Sequence, residues 1–265
     1  MLNPLSSKVL LRRTAVLLAA LAAAVACVPP AAAKGPQAGA VSAGDLAFGH
    51  GLLWKVAAAG AAPSYIFGTI HSGDPRVTQL PAPVRRAFDG SDEFMMEVVP
   101  DATLTEQMRR AMSYPRRNRG GLKKAIGQPL YDKVVAALAK YNIPEQMADR
   151  MKPWAVATTL SVPETVDGET LDQRLYEAAR RQGKSIFGIE TAAEQITVLN
   201  GMRPSDQIEL LKGAVDTFDQ RYRIYDALIR DYRARDITAI FALDHKYGGG
   251  RALARDVERR LFLER

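Results

Sequence analysis

Residues 64–74 read S-Y-I-F-G-T-I-H-S-G-D, and no other run constrains the fold as tightly. Tyr65, Ile66 and Phe67 form an apolar stretch of strand formers too short for a helix, which predicts a buried strand running on to Ile70. Gly68 lets another group approach the backbone closely, and His71 arrives where the strand should end. Gly73 and Pro75 bracket the turn that follows. Ligands of open α/β sheets bind at the carboxyl ends of strands. His71, flanked by Thr69, Ser72 and Asp74, is therefore the leading functional candidate, with Gly68, Thr69 and Asp74 as the expected substrate contacts.

Two further runs repeat the pattern. Residues 93–99 (E-F-M-M-E-V-V) deliver Glu97, and residues 185–190 (S-I-F-G-I-E) deliver Glu190. Three strand-like runs thus carry one imidazole and two carboxylates toward what would be one sheet edge. That set suits a divalent transition metal or an acid/base pair, with Glu97 and Glu190 as the candidate carboxylates. The same residue types also describe an internally bonded histidine and two helix-capping glutamates. Residue types alone leave both readings open.

The first 33 residues read as an export signal. Lys8, Arg12 and Arg13 precede an apolar core at residues 14–26, and Ala31, Ala32 and Ala33 supply the small residues of a cleavage site. The core is too short for a stable transmembrane anchor. Cys27 follows Ala24-Val25-Ala26, which weakly resembles a lipoprotein site but lacks the leucine three residues before the cysteine. An exported periplasmic or envelope protein follows, and after cleavage it has neither a disulfide nor a thiol nucleophile. The formal charge of +7 falls to +4 without the three leader cations, and no basic stripe with interleaved aromatics marks a nucleic-acid binder.

Residues 34–48 are rich in Ala, Gly and Ser and read as a disordered linker. Residues 52–56 predict a first strand, paired with the next as a hairpin across residues 57–63. Helices are expected at 81–88, from Asp101 to Met112, and over 130–141. Another carries Met147, Met151, Trp154 and Leu160 with a kink at Pro153, and one more covers 168–181. Arg116, Arg117, Arg119, Lys123 and Lys124 suggest an exposed basic loop. A helix from Ser205 to about Arg235 should present Phe218, Tyr222, Tyr225, Ile229 and Tyr232 on one face. Asp236 should cap a last helix to Tyr247. His50 reads as a loop residue and His245 as a helix-end residue.

Several of these pieces together resemble one family. They are Phe67-Gly68-Thr69-Ile70-His71, the apolar run ending at Glu97, and Met151-Lys152-Pro153-Trp154. Leu171-Asp172-Gln173 and Gly188-Ile189-Glu190-Thr191 with Glu194-Gln195 complete the set. In this order and spacing they resemble the TraB/GumN proteins, related to the Tiki metalloproteases, from Leu52 to Arg265. The resemblance implies a mixed α/β sheet with a large helical insertion, similar to erythromycin-esterase-like (EreA) and haem-binding ChaN-like proteins. It implies metal-dependent hydrolysis of a peptide or envelope-associated substrate. His71 and Glu97 would stand at a divalent ion of the Mn, Co or Zn class, with Glu190 either behind the ligands, supporting them, or as an acid/base group.

One departure from the family stands out. Its second Gly-x-x-His motif has no counterpart here, because neither His50 nor His245 follows a glycine by three residues. The final residues, L-F-L-E-R, fall within an amphipathic pattern that has no stop signal. The expectation is a C-terminally truncated member, short of its last strand and impaired in hydrolysis. The alternative is a non-catalytic envelope protein that binds haem, metal or a polysaccharide-related ligand.

Overall fold

The computed structural model describes residues 48–101, 103–115, 121–166 and 168–247. The expected leader with Cys27, the expected linker through residue 47, Arg116, Arg117, Arg119 and the segment from Gly248 onward lie outside the described residues.

The chain is a mixed α/β protein. Strands β1 (Leu53–Val56) and β2 (Ser64–Phe67) form the expected antiparallel hairpin, with Leu53 opposite Phe67 and Val56 opposite Ser64. After β2 come the short helix α1 (Pro75–Thr78), helix α2 (Ala82–Asp89) and strand β3 (Glu93–Met96). Five helices then intervene: α3 (Leu104–Ala111), α4 (Gly121–Ile126), α5 (Gln128–Ala139), α6 (Glu145–Ala148) and α7 (Pro153–Ser161). Helix α8 (Leu171–Arg181) leads back to strand β4 (Ser185–Gly188), which pairs in parallel with β3, Glu93 opposite Ser185 and Met96 opposite Gly188. A parallel pair needs a crossover, and here α8 packs on both strands it serves. Helices α9 (Ala192–Asn200), α10 (Pro204–Asp216), α11 (Arg221–Ala234) and α12 (Ile237–Tyr247) follow.

The structure departs from the sequence reading at five points. The predicted single sheet is two separate two-stranded sheets among the described residues. The predicted buried strand is short and open to solvent, with Tyr65 and Ile66 exposed. The strand stops at Phe67, beyond which Gly68 still donates to Leu52 O beside β1 while its own carbonyl accepts from Tyr232 of α11. Pro153 does not kink a helix but starts α7 in its first turn, where its missing N–H costs nothing. Lys123 and Lys124 lie on α4 rather than in a loop.

The long helix expected to run on to Arg235 is likewise broken. Its first half, α10, ends at Thr217, whose hydroxyl donates to Gly213 O at 2.8 Å, and a single 3₁₀ turn (Phe218–Gln220) precedes α11. The break lets the two halves serve different cores. Leu211 and Phe218 pack into a large helical core with Leu122, Val134, Leu138 and Trp154. Ile229 and Tyr232 pack into a smaller core with Ile70, Val77, Leu171 and Leu175. One straight helix could not turn its apolar residues toward both.

Candidate functional site

His71 lies beyond the end of β2, in the irregular segment 68–72. The smaller core and four hydrogen bonds fix that segment. Gly68 N–H donates to Leu52 O at 2.8 Å, and the Tyr232 hydroxyl donates to Gly68 O at 2.9 Å. A Cβ at Gly68 would make only ordinary contact, 3.7 Å from Leu52 Cδ2, so close approach does not explain this glycine. At the other end Ser72 Oγ and the Tyr225 hydroxyl lie 2.5 Å apart, and Leu171 N–H donates to Ser72 O at 3.1 Å. Tyr225 and Tyr232 stand two turns apart on α11 and so share a face.

Helix α8 begins with a reciprocal cap in which Thr170 N–H donates to Gln173 Oε1 at 3.0 Å and Gln173 N–H donates to Thr170 Oγ1 at 3.4 Å. The cap fixes the first turn, where a carboxylate is favoured by the helix dipole. Asp172 occupies that turn and abuts His71, its Oδ2 in close ion-pair contact with Nδ1. Thr69 Oγ1 donates to the other oxygen, Asp172 Oδ1, at 2.5 Å. Asp172 Oδ2 is enclosed and receives no aligned hydrogen bond, so its negative charge is balanced by the imidazole. On the far side of the ring, Nε2 lies 3.6 Å from Glu97 Oε2.

Burial alone would favour the neutral imidazole, since the His71 side chain is only 15% exposed. Hydrogen bonding and charge from Asp172 and Glu97 outweigh that, and the pKa of His71 rises to about 9. For Asp172, burial pushes the carboxyl up, yet His71 and Thr69 hold it below the ordinary range. An acidic partner at Nδ1 draws the proton to that nitrogen and orients Nε2 toward Glu97.

Glu97 follows β3 directly and is partly exposed. Glu190 sits just past β4, and its N–H donates to Glu97 O at 2.9 Å, continuing the parallel ladder. Its Oε1 accepts a 3.4 Å bond from Gln195 Nε2 on α9. His71 and Glu97 therefore meet through their side chains, whereas Glu190 joins Glu97 through the main chain. Neither glutamate takes the capping role that residue types had left open. Asp101 Oδ1 accepts from the Leu104 N–H at the start of α3, and Thr191 with Glu194 forms the box that starts α9.

The expected substrate contacts all have protein partners: Gly68 on Tyr232, Thr69 on Asp172, and Asp74 on Arg76. Asp74 accepts the Arg76 N–H at 2.8 Å to start α1 and holds the guanidinium at 2.7 Å, which keeps its carboxyl below the ordinary range. His50 lies opposite Asp236 in an isolated antiparallel backbone bridge at the surface, and His245 is exposed in the last turn of α12. Sequence reasoning assigned no role to Asp172 and gave Tyr225 and Tyr232 only a place in a core stripe. The local signals for Asp172 were its place in Leu171-Asp172-Gln173 and the Thr170-Gln173 capping pair around it, and neither pointed to His71.

Among the described residues no group of three or more His, Cys, Asp or Glu side chains is arranged to hold a metal ion. Two donors do fit in kind. Ligands that share a tetrahedral ion at about 2.0–2.2 Å stand about 3.4 Å apart, close to the separation of His71 Nε2 and Glu97 Oε2. Carboxylate support at the other ring nitrogen is the usual companion of a metal-binding histidine. No helix among the described residues is long and apolar enough to cross a membrane. No curated protein and no solved structure matches the chain. The family comparison does give a match, from residue 52 to residue 265, and by it the chain belongs to the TraB/PrgY/gumN family.

Proposed function

We propose that this protein is an exported, metal-dependent hydrolase acting on peptide or envelope-associated substrates, its centre built on His71 and Glu97. The observation that carries the reading is the line Asp172–His71–Glu97, in which a buried carboxylate supports one ring nitrogen while the other faces a second carboxylate. His71 Nε2 and Glu97 would hold a divalent ion of the Mn, Co or Zn class. Such an ion polarises a carbonyl and brings the pKa of a bound water near neutrality. Asp172 keeps the His71 ring in place and its Nδ1 protonated. Thr69 occupies the second oxygen of Asp172 and stops that carboxylate from rotating away. Glu190, on the residue hydrogen-bonded to Glu97, would move protons to the leaving group. The leader-like first 33 residues support export, and the parallel β3–β4 pair with its helical insertion supports an EreA- and ChaN-like fold.

The test is turnover of a mixed peptide library with added Zn²⁺, Mn²⁺ or Co²⁺, alongside calorimetric titration of each metal. His71→Ala and Glu97→Ala should each lower turnover at least about 100-fold and abolish metal binding. Turnover that persists in chelator, or in both alanine variants, overturns the reading. A Soret band on haem addition with no turnover under any metal would favour a binding protein instead.

A further inference from the structure

Directly after His71 the chain turns through Ser72 and Gly73 into α1, and this turn forms one wall of a pocket of about 220 Å³. The opposite walls are Tyr222 and Tyr225 of α11, with Pro163 and Val166 from the connection between α7 and α8. Neither His71, Glu97 nor Asp172 lines it. It is nonetheless joined to them, because Tyr225 is both a wall of the pocket and the hydrogen-bond partner of Ser72.

The chemistry of the walls selects a ligand. Apart from the exposed Thr165 hydroxyl, the polar side chains around its rings are engaged with protein. The Tyr222 hydroxyl donates to Glu164 at 2.7 Å, and Glu164 also binds Arg221 at 2.8 and 2.9 Å. Arg76 is held between Asp74 at 2.7 Å and Asp226 at 2.9 Å. An anion would have to displace Asp74 or Asp226 to reach Arg76, and two carboxylates against one guanidinium leave a negative balance that repels it. What remains on offer is mainly flat and apolar: two tyrosine rings, two proline rings (Pro75 and Pro163) and Val166, with the Thr165 hydroxyl beside them. The volume suits one side chain and is below that of a drug-sized site.

We propose that this pocket is a specificity subsite of the hydrolase described above, and that it takes one uncharged aromatic side chain of a peptide substrate. The inference rests on that functional reading for the word substrate, but the binding itself does not require turnover. Aromatic rings stacked on Tyr222 and Tyr225 gain contact beyond simple burial. Tyr225 then reports occupancy to the His71 segment through Ser72.

The test uses the full chain and three probes, N-acetyl-phenylalaninamide, N-acetyl-leucinamide and the N-acetyl amide of aspartic acid, with binding followed by ¹⁵N chemical-shift perturbation. The phenylalanine probe should bind at least about 10-fold more tightly than the aspartic one, with leucine between. It should shift the amides of Gly73, Val166 and Tyr225. Val166→Trp, which fills the pocket, should erase the preference. Tyr222→Ala, at a ring 42% exposed, should weaken it and serves as a second variant in case the first does not fold. Equal binding of the three probes, or a preference that survives both substitutions, overturns the proposal. A phenylalanine preference without turnover of any peptide keeps the subsite and removes the hydrolase reading. Turnover with no preference at this position does the reverse.

Discussion

At the scale of the residue, the chemistry converges on one imidazole. His71 gains its acidic partners only on folding, so its pKa rises from about 6.5 in the unfolded chain to about 9 in the native one. The native state therefore binds the extra proton more tightly, and the associated stability is fully present below pH 6.5 and lost as pH rises through 9. In the metal-free chain the thermal midpoint should fall across that window, and the His71 ring protons should titrate by NMR with a midpoint near 9. Asp172→Asn removes the charge from Nδ1 and should move that midpoint down toward the ordinary histidine range; an unchanged midpoint would mean that Asp172 does not support the ring. The same proton competes with a metal for Nε2, so the calorimetric affinity for Zn²⁺ should rise with pH up to the same midpoint, with proton release on binding.

At the scale of the element, what was legible in the sequence and what was not follows the range of the interaction. The hairpin, the return through α8 to a parallel β4, and the Asp236 cap, whose Oδ1 accepts from Ala239 N–H at 2.9 Å, are written in local pattern and turn chemistry. The meeting of His71 with Glu97 followed from reading strand ends as ligand sites. The break at Thr217 was hidden, because the apolar spacing on either side continues a helical period and only the two cores show why it must stop. Asp172 was hidden for the same reason: Thr69, its other partner, lies 103 residues away, and no periodicity reports such a contact. The tyrosines of α11 are the clearest case. Spacing placed Tyr225 and Tyr232 on one face, but their hydroxyls bond the His71 segment at both ends. Burial raises the pKa of both phenols, so they stay protonated hydrogen-bond partners throughout the neutral range. Each bond should contribute about 1 kcal/mol. Tyr225→Phe and Tyr232→Phe should therefore each accelerate native-state amide exchange at Leu171 and Ser72 roughly fivefold, with the double variant faster still. Exchange at the parental rate in the double variant would show that the core alone fixes the segment.

At the scale of the whole molecule, the two cores divide the work between stability and site. The large core joins helices α3, α5, α7 and α10 around Trp154 and Leu138, and none of its residues flanks His71 or Asp172. The smaller core contains Ile70, next to His71, and Leu171, next to Asp172, with Ile229 of α11 fully buried against them. A cavity cut into either core should cost about 2–5 kcal/mol, since Leu138 and Ile229 are equally inaccessible. The consequences for the site should differ. Distant sites with no shared partners add independently, whereas neighbours couple through small backbone shifts. Ile229→Ala lets the 68–72 segment and the first turn of α8 relax toward the vacated space, so the Nδ1 contact loosens. Leu138→Ala relaxes helices that do not carry the site. Both variants should lower the thermal midpoint by several degrees, but only Ile229→Ala should displace the His71 titration downward, and it should weaken Zn²⁺ binding about tenfold. If Leu138→Ala moves the His71 midpoint as far as Ile229→Ala does, the two cores are one mechanical unit and the division fails.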